Sequence, residues 1–309
     1  MHPYTKHPDD AVSAWGEEKL IRAIRGWLGN VSPRAPFGIG DDCAVLAPSQ
    51  GRQLITVDPV IYGRHFDDDV SPRDVAAKLL KRNLSDIAAM GGRPVAAVLA
   101  LTLDARVSRV WLEYFYRGLA VTARRYHVAI IGGDLAQADG VLAASLTLLG
   151  ESTGPRVLTR TGARAGDWIY VTGRLGCSRP GGHHFRFTPR LAEGRWLARR
   201  AGVRAMMDVS DGLAKDLHAL TPPGCHPALD PARLPCRRGA DTRAALTDGE
   251  DYELVFALAR RTDRAALTAA WRRAFPRTPL TCIGAFARGT KTPEGAFDLS
   301  KYHGYEHLR

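Results

Sequence analysis

The sequence predicts an α+β fold in two domains. Strand-like and helix-like segments mix in both halves without the strict alternation of a doubly wound sheet. The chain has 309 residues, too many for one small core and suited to two domains of roughly 150 residues each. A stretch rich in Gly, Thr, Arg and Pro at 150–166 divides it, so the expected domains are 1–150 and 151–309.

Residues 16–28 carry Leu20, Ile21, Ile24 and Leu28 at helical spacing, which predicts a first helix. Pro33, Pro36, Gly38 and Gly40 then break the pattern. Strands are expected at 43–47 and at 53–58, the second ending at Pro59. Ser71-Pro72-Arg73-Asp74 offers a cap residue, Pro at the first helical position and an acid at the third, so a helix starts there. It runs to about Met90, where Gly91-Gly92 stops it. Residues 95–103 read as a buried strand and 108–126 as a helix. Strands at 128–131 and 141–149 flank Gly132-Gly133-Asp134. Beyond the boundary come a strand at 167–172, a Gly/Pro/His/Arg segment at 173–189 and a helix at 190–201. A short strand ends at Asp208, and a helix follows from Asp211 to about Leu220. A strand near Ala228, a strand at 251–258, a helix at 262–275 and a strand at 280–286 complete the chain. The sequence holds no short repeat and no low-complexity tract.

Lys plus Arg number 43 and Asp plus Glu 32, a net charge of +11. That excludes an acidic solvating chain and points to an anionic partner: nucleic acid, a membrane surface or a phosphorylated small molecule. Arg scattered over a solvated surface explains the same excess without any partner. The five cysteines are odd in number, widely spaced and form no Cys-x-x-Cys pair, against a zinc ribbon or a thioredoxin-type site. Residues 1–12 are polar and lack a signal-peptide apolar stretch. The longest apolar runs, such as 95–101, fall far below the ~18 residues that span a bilayer. The expected compartment is the reducing cytoplasm, with no membrane partner.

The familiar nucleotide motifs are absent. Gly284 to Lys291 only approaches a phosphate-binding loop, and Gly38-Ile39-Gly40 lacks a third glycine and opens no helix. There is no Gly-x-Ser-x-Gly elbow and no His-Glu-x-x-His. What recurs is an acid at the end of an apolar strand or beside glycine. The instances are Gly40-Asp41-Asp42, Val57-Asp58, Ser85-Asp86, Gly133-Asp134, Asp208-Val209-Ser210-Asp211-Gly212 and Gly249-Glu250-Asp251. A carboxylate in an apolar setting is costly unless it is paired or binds a cation. Mg²⁺ takes hard oxygen ligands, one or two protein carboxylates plus waters and substrate phosphates. Lys78, Arg82 and Arg160 are the candidates to face phosphate oxygens, and Lys78, Arg82 and Asp86 share one helix face. Each acid alone has an ordinary explanation. Asp-Gly pairs occur in turns, Asp211 can cap its helix, and Asp41 or Asp42 can satisfy loop amides. Six together point to a metal–phosphate site. On residue type alone His65 reads as structural, His183-His184 as a surface pair and Met206-Met207 as core.

Six ordered motifs resemble the thiamine-monophosphate kinase family, of the aminoimidazole ribonucleotide synthetase-like superfamily. They are Gly38-Ile39-Gly40-Asp41-Asp42-Cys43-Ala44, Asn83 through Gly91, Gly132-Gly133-Asp134, Leu158-Thr159-Arg160-Thr161-Gly162, Asp208 through Leu213, and Gly249 through Leu254. The resemblance implies two α/β domains, with the N-terminal sheet forming a barrel across a homodimer. It implies ATP as co-substrate and transfer of its γ-phosphoryl group to thiamine monophosphate, giving thiamine diphosphate. Asp42, Asp58, Asp86, Asp134, Asp208 and Asp211 fall on the family's Mg²⁺ positions, with Asp42, Asp86, Asp208 and Asp211 expected to be catalytic. Thr56, Asp134, Arg160 and Ser210 fall on nucleotide- or metal-contacting positions. His65, Glu250 and Tyr302 fall on the thiamine-phosphate side. An acceptor that is itself a phosphate is already a nucleophile, so direct transfer without a phosphohistidine is expected.

The sequence departs from the family at three places. The segment 174–190 is shorter than usual, so the C-terminal domain is expected to be shortened. Asp248 stands where glycine is usual, and Tyr302 occupies what is often a tryptophan position. Selenophosphate synthetase is disfavoured because the first cysteine is Cys43, and the hydrogenase maturation protein because the chain ends Glu306-His307-Leu308-Arg309. The alternatives kept are an ATP-dependent cyclo-ligase of the same superfamily and a non-catalytic polyanion-binding protein. No nucleic-acid partner is expected, since six acids repel a phosphate backbone unless metal intervenes.

Overall fold

The computed structural model describes residues 1–40, 43–49, 51–154 and 156–306. It organises into two compact units: Met1–Ile87 with Arg93–Glu151, and Ala88–Gly92 with Ser152–Arg309. No helix among the described residues is long and apolar enough to cross a membrane.

The first unit is built on α1 (Glu17–Leu28), β1 (Gln53–Ile61), α2 (Pro72–Ala89), β2 (Gly92–Leu103), α3 (Arg109–Tyr126), β3 (Ala129–Gln137) and β4 (Leu142–Ser152). Its sheet has the order β1-β4-β2-β3. β1 and β4 are antiparallel, and β2 and β3 are parallel. α1 buries Leu20, Ile24 and Leu28, the stripe read from the sequence. α2 starts where Ser71 Oγ accepts the Asp74 N–H at 3.1 Å and donates to its carboxylate at 2.7 Å. α3 meets α2 at Gly118, where a Cβ would stand 2.5 Å from the Arg73 Cα. Leu79, Leu80, Leu84, Leu112, Phe115 and Leu119 are fully buried.

Three expectations are corrected here. Residues 43–47 form no strand; Val45 and Leu46 are exposed, and the Val45 N–H donates to the Pro36 carbonyl at 2.7 Å. β1 does not stop at Pro59 but continues to Ile61, with Pro59 opposite Ser145. β1 is an edge strand, where a missing N–H is tolerated. Gly132-Gly133-Asp134 is not a connection but the middle of β3. Gly133 is required there, since a Cβ would lie 2.2 Å from the Leu99 carbonyl oxygen.

The second unit holds β5 (Trp168–Thr172), α4 (His183–Arg186), α5 (Leu191–Ala198), β6 (Val203–Asp208), α6 (Leu213–Leu220), β7 (Cys225–Leu229), α7 (Thr242–Thr247), β8 (Leu254–Leu258), α8 (Arg264–Ala274) and β9 (Leu280–Arg288). The sheet order is β6-β8-β5-β9-β7, each neighbouring pair antiparallel. Ile169, Val171, Ala205, Met207, Val255 and Ala257 form one core with Leu213 and Leu217 of α6. Period-two alternation sends Tyr170 and Phe256 to the other face, where their rings stack at 5.5 Å and Tyr170 Oη accepts from Arg264 Nε of α8 at 3.0 Å. With both faces covered, every residue of β8 is buried. Met206 and Met207 are core, as read.

β8 begins at Leu254 rather than Asp251, because Glu250 and Tyr252 adopt left-handed φ of 54° and 52°. The helix after Asp211 begins at Leu213. Asp211 does not cap it: the N-cap is Gly212, which makes no side-chain cap bond. α5 ends at Ala198, short of the expected 201. α4 and α7 are too short for their periodicity to show in sequence.

Candidate functional site

In the first unit the acids gather where α2 faces β1. Thr56 and Asp58 sit two residues apart on the half-buried face of β1. Thr56 Oγ1 donates a short hydrogen bond to Asp86 Oδ2 of α2. One turn earlier, Arg82 Nη2 meets Asp58 Oδ1 at 3.1 Å, and its Nη1 donates to the Pro59 carbonyl at 2.7 Å. A further turn back, the fully buried Lys78 donates Nζ to the His65 carbonyl at 3.1 Å. The shared face of Lys78, Arg82 and Asp86 is thus real, but Lys78 and Arg82 brace β1 and its following loop instead of presenting open cations. His65 Nδ1 accepts the Ile61 N–H at 3.1 Å, which assigns the proton of the neutral ring to Nε2. Asp134 is exposed on β3, the opposite edge of the same sheet from β1. It lines a cavity of about 110 Å³ with Glu17, Ile24, Leu99 and Tyr116.

In the second unit Asp208 is buried at the end of β6. The chain then turns, and the Ser210 and Asp211 N–H groups both donate to Asp216 Oδ2, at 2.9 and 3.1 Å. Burial, and next the neighbouring Asp211 charge, push the Asp216 carboxyl up to about 7. Asp211 pairs with Lys215 at 2.8 Å, and Lys215 also donates to the Tyr305 carbonyl at 2.7 Å. The C-terminal segment closes on this turn, since Tyr305 N–H donates to the Asp211 carbonyl at 2.8 Å. Tyr302 stacks on Phe297 with ring centroids 5.3 Å apart. Arg160 is exposed in a coil segment.

The Glu250 loop crosses the same turn. Glu250 N–H donates to the Ser210 carbonyl at 2.7 Å and Tyr252 N–H to the Val209 carbonyl at 2.8 Å. The Glu250 carboxylate meets His184 Nδ1 at 3.1 Å and Arg179 Nε at 3.5 Å. His183-His184 is therefore not a surface pair, because His184 is buried against a predicted site residue. Asp251 accepts from the Gly176 N–H and from Arg237 at 2.8 Å, yet burial holds its carboxyl up at about 6.

In one unit Thr56 touches Asp86, and Arg82 and Lys78 of the same helix tie in Asp58 and the His65 loop; in the other, Ser210, Asp211 and Glu250 share the turn that follows Asp208, and the segment of Tyr302 closes on it through Tyr305. Asp134 stands on the opposite edge of the sheet from β1, Arg160 lies near enough to Asp216 for its charge to lower that carboxyl's pKa, and Asp42 lies outside the described residues. Among the described residues no three His, Cys, Asp or Glu side chains gather to hold a metal ion. Sequence reasoning missed Lys215, Asp216 and His184. Asp216 had a signal, a carboxylate within an apolar helical stripe; His184 had none.

Residues 40–152 match the model of the AIR synthase related protein N-terminal domain. The chain is 36% identical to the thiamine-monophosphate kinase of Salmonella typhimurium, over 96% of this chain and 99% of the relative. It is 38% identical to that of Escherichia coli, over 88% and 90%. The crystal structure of the thiamine-monophosphate kinase from Stenotrophomonas maltophilia superposes with a TM-score of 0.73 at 32% identity, covering 87% of this chain and 93% of that one. A solved structure of AaThiL complexed with AMPPCP and TMP has a TM-score of 0.68 at 27% identity, covering 96% and 98%. With full-length relatives above 30% identity and the same fold throughout, the chain belongs to the thiamine-monophosphate kinase family.

Proposed function

We propose that this chain transfers the γ-phosphoryl group of ATP to the phosphate of thiamine monophosphate, yielding thiamine diphosphate and ADP. The observation that carries this is the relation to thiamine-monophosphate kinases along 99% of a relative's length, which leaves neither half of the chain without a counterpart. The test is an assay of ATP plus thiamine monophosphate with the product identified. Thiamine diphosphate supports the proposal; ADP with free phosphate and no thiamine diphosphate favours an ATP-dependent cyclo-ligase relative instead.

The site residues belong to the same proposal. Asp42, Asp58, Asp86, Asp134, Asp208 and Asp211 are assigned to Mg²⁺, with Thr56, Ser210 and Arg160 toward the nucleotide. The donor set suits that ion: carboxylate and hydroxyl oxygens are hard ligands, and Thr56 with Asp86 already places two of them in contact. When bound, Mg²⁺ neutralises charge on the transferring phosphates. The chain's own residues do the rest. Arg82 and Lys78 hold β1 and the His65 loop against α2. Asp216 fixes the turn that carries Ser210 and Asp211. His65, Glu250 and Tyr302 are assigned to the thiamine-phosphate side. Phosphoryl transfer depends on positioning and electrostatics more than on covalent help, so His65 is given no phosphohistidine role.

Residues 1–150 are proposed as the ATP- and Mg²⁺-binding, dimerising part and 151–309 as a shortened synthetase-like part, in a homodimer of the cytoplasm. The edge strand β1 supports the dimer: Ile55 and Val57 are 71% and 60% exposed on its open face, an apolar edge that natural sheets cover. Sedimentation at twice the 33.7 kDa chain mass tests it; a monomer at assay concentrations contradicts it.

A further inference from the structure

The segment between β5 and α5 is tied to the 248–253 loop almost residue by residue. Cys177 N–H donates to Asp248 Oδ2 at 2.8 Å, which gives Asp248 a reason to stand where glycine is usual. Ser178 Oγ donates to the Glu250 carbonyl at 2.6 Å. Gly176 N–H donates to both Asp251 oxygens, at 3.1 and 3.0 Å. Phe187 stacks on Tyr252 with centroids 4.1 Å apart and planes 19° from parallel. Arg190 grips Glu253 through two bonds of 2.6 and 2.7 Å. These contacts hold the side chains at 248, 251, 252 and 253 and the carbonyl of Glu250, whose φ, like that of Tyr252, is left-handed.

One contact in the series bears on a predicted acceptor-side carboxylate. His184, in α4, meets the Glu250 carboxylate with its Nδ1 at 3.1 Å. Its own main chain is anchored, since the His183 and His184 N–H groups both donate to the Ser178 carbonyl, at 2.8 and 3.3 Å. The imidazole is buried, with 8% of its side chain exposed, whereas Arg179 on the same carboxylate is 52% exposed. A half-exposed arginine supplies charge, while a buried ring on an anchored turn supplies direction.

We propose that His184 is the positioning residue for Glu250, holding its carboxylate so that it receives the cationic, amino-bearing heterocycle of the acceptor. This rests on the proposed function, in which Glu250 lies on the acceptor side. Acceptor recognition is thereby set by the 173–190 segment acting through one histidine, and ATP recognition is independent of it. A buried carboxylate that is left to rotate loses a charge-assisted bond to the acceptor.

The experiment compares wild type, His184→Ala and His184→Asn by steady-state kinetics in both substrates, with thermal unfolding of each. Asn places its amide Nδ2 where Nδ1 stands in histidine, so it restores the donor without the ring. His184→Ala is expected to raise KM for thiamine monophosphate about tenfold or more, to leave KM for ATP unchanged, and to be rescued by His184→Asn. A folded His184→Ala protein with an unchanged acceptor KM overturns the inference. So does an equal rise in both KM values, or failure of Asn to rescue, since each is what a merely structural ring would give. A wild type that makes no thiamine diphosphate overturns the proposed function and the inference together, whereas an active wild type with an indifferent His184→Ala overturns only the inference.

Discussion

At the residue scale the acids divide by what they touch. Asp86 and Asp211 are half-buried, one facing a hydroxyl and the other a lysine, and both are assigned to phosphoryl transfer. Asp86→Asn and Asp211→Asn keep shape and lose charge. Each should lose turnover by orders of magnitude with its unfolding midpoint nearly unchanged; near-full activity in saturating Mg²⁺ contradicts the assignment. Lys81 makes a different test. Burial pushes its ammonium down from 10.5 to about 8, with Asp74 opposing and Arg125 assisting. Between those values the unfolded chain binds the proton that the folded chain releases. Stability should therefore rise with pH from about 8 to about 10.5, by up to about 3 kcal/mol. The rise should be missing in Lys81→Met, and denaturant unfolding against pH reads it. Aspartates were visible in the sequence because each sat beside glycine or after an apolar run. The histidine on Glu250 was not visible, since its partner lies 66 positions away and no local pattern encodes the pair.

At the element scale, helices with a full apolar stripe were legible. α1, α2, α3 and α8 lie within two residues of their expected bounds, because their stripes and caps are local signals. Strand ends were less so. Pro59 and the Gly132-Gly133 pair look like breaks, yet both are inside strands, the first on an open edge and the second where two backbones approach closely. Those are properties of the neighbouring strand, not of the residue. Gly133→Ala checks the second case. With a Cβ forced to 2.2 Å from the Leu99 oxygen, β2 and β3 must part, and the loss should be about 1–3 kcal/mol. Thermal unfolding measures it; an unperturbed melting curve contradicts the parallel register. Residues 43–47 show the opposite failure, an unbroken apolar run that forms no strand.

At the scale of the whole molecule, the net charge of +11 was the first hint of an anionic partner and the least specific. Much of that excess is surface arginine lying over aromatic rings, as Arg200 does over Trp196 and Arg260 over Trp168, each at 3.9 Å. The informative charges are the minority acids, carried in two units that each present one group of predicted site residues. The proposed function assigns both groups to the transfer of one phosphoryl group from ATP to thiamine monophosphate. The most direct measurement follows the γ-phosphorus of ATP, labelled and incubated with enzyme, Mg²⁺ and thiamine monophosphate. All transferred label should appear on the terminal phosphate of thiamine diphosphate, and none should stay on the protein when ATP is supplied alone. Label released as free phosphate in step with ADP, or trapped on His65, contradicts the proposed transfer.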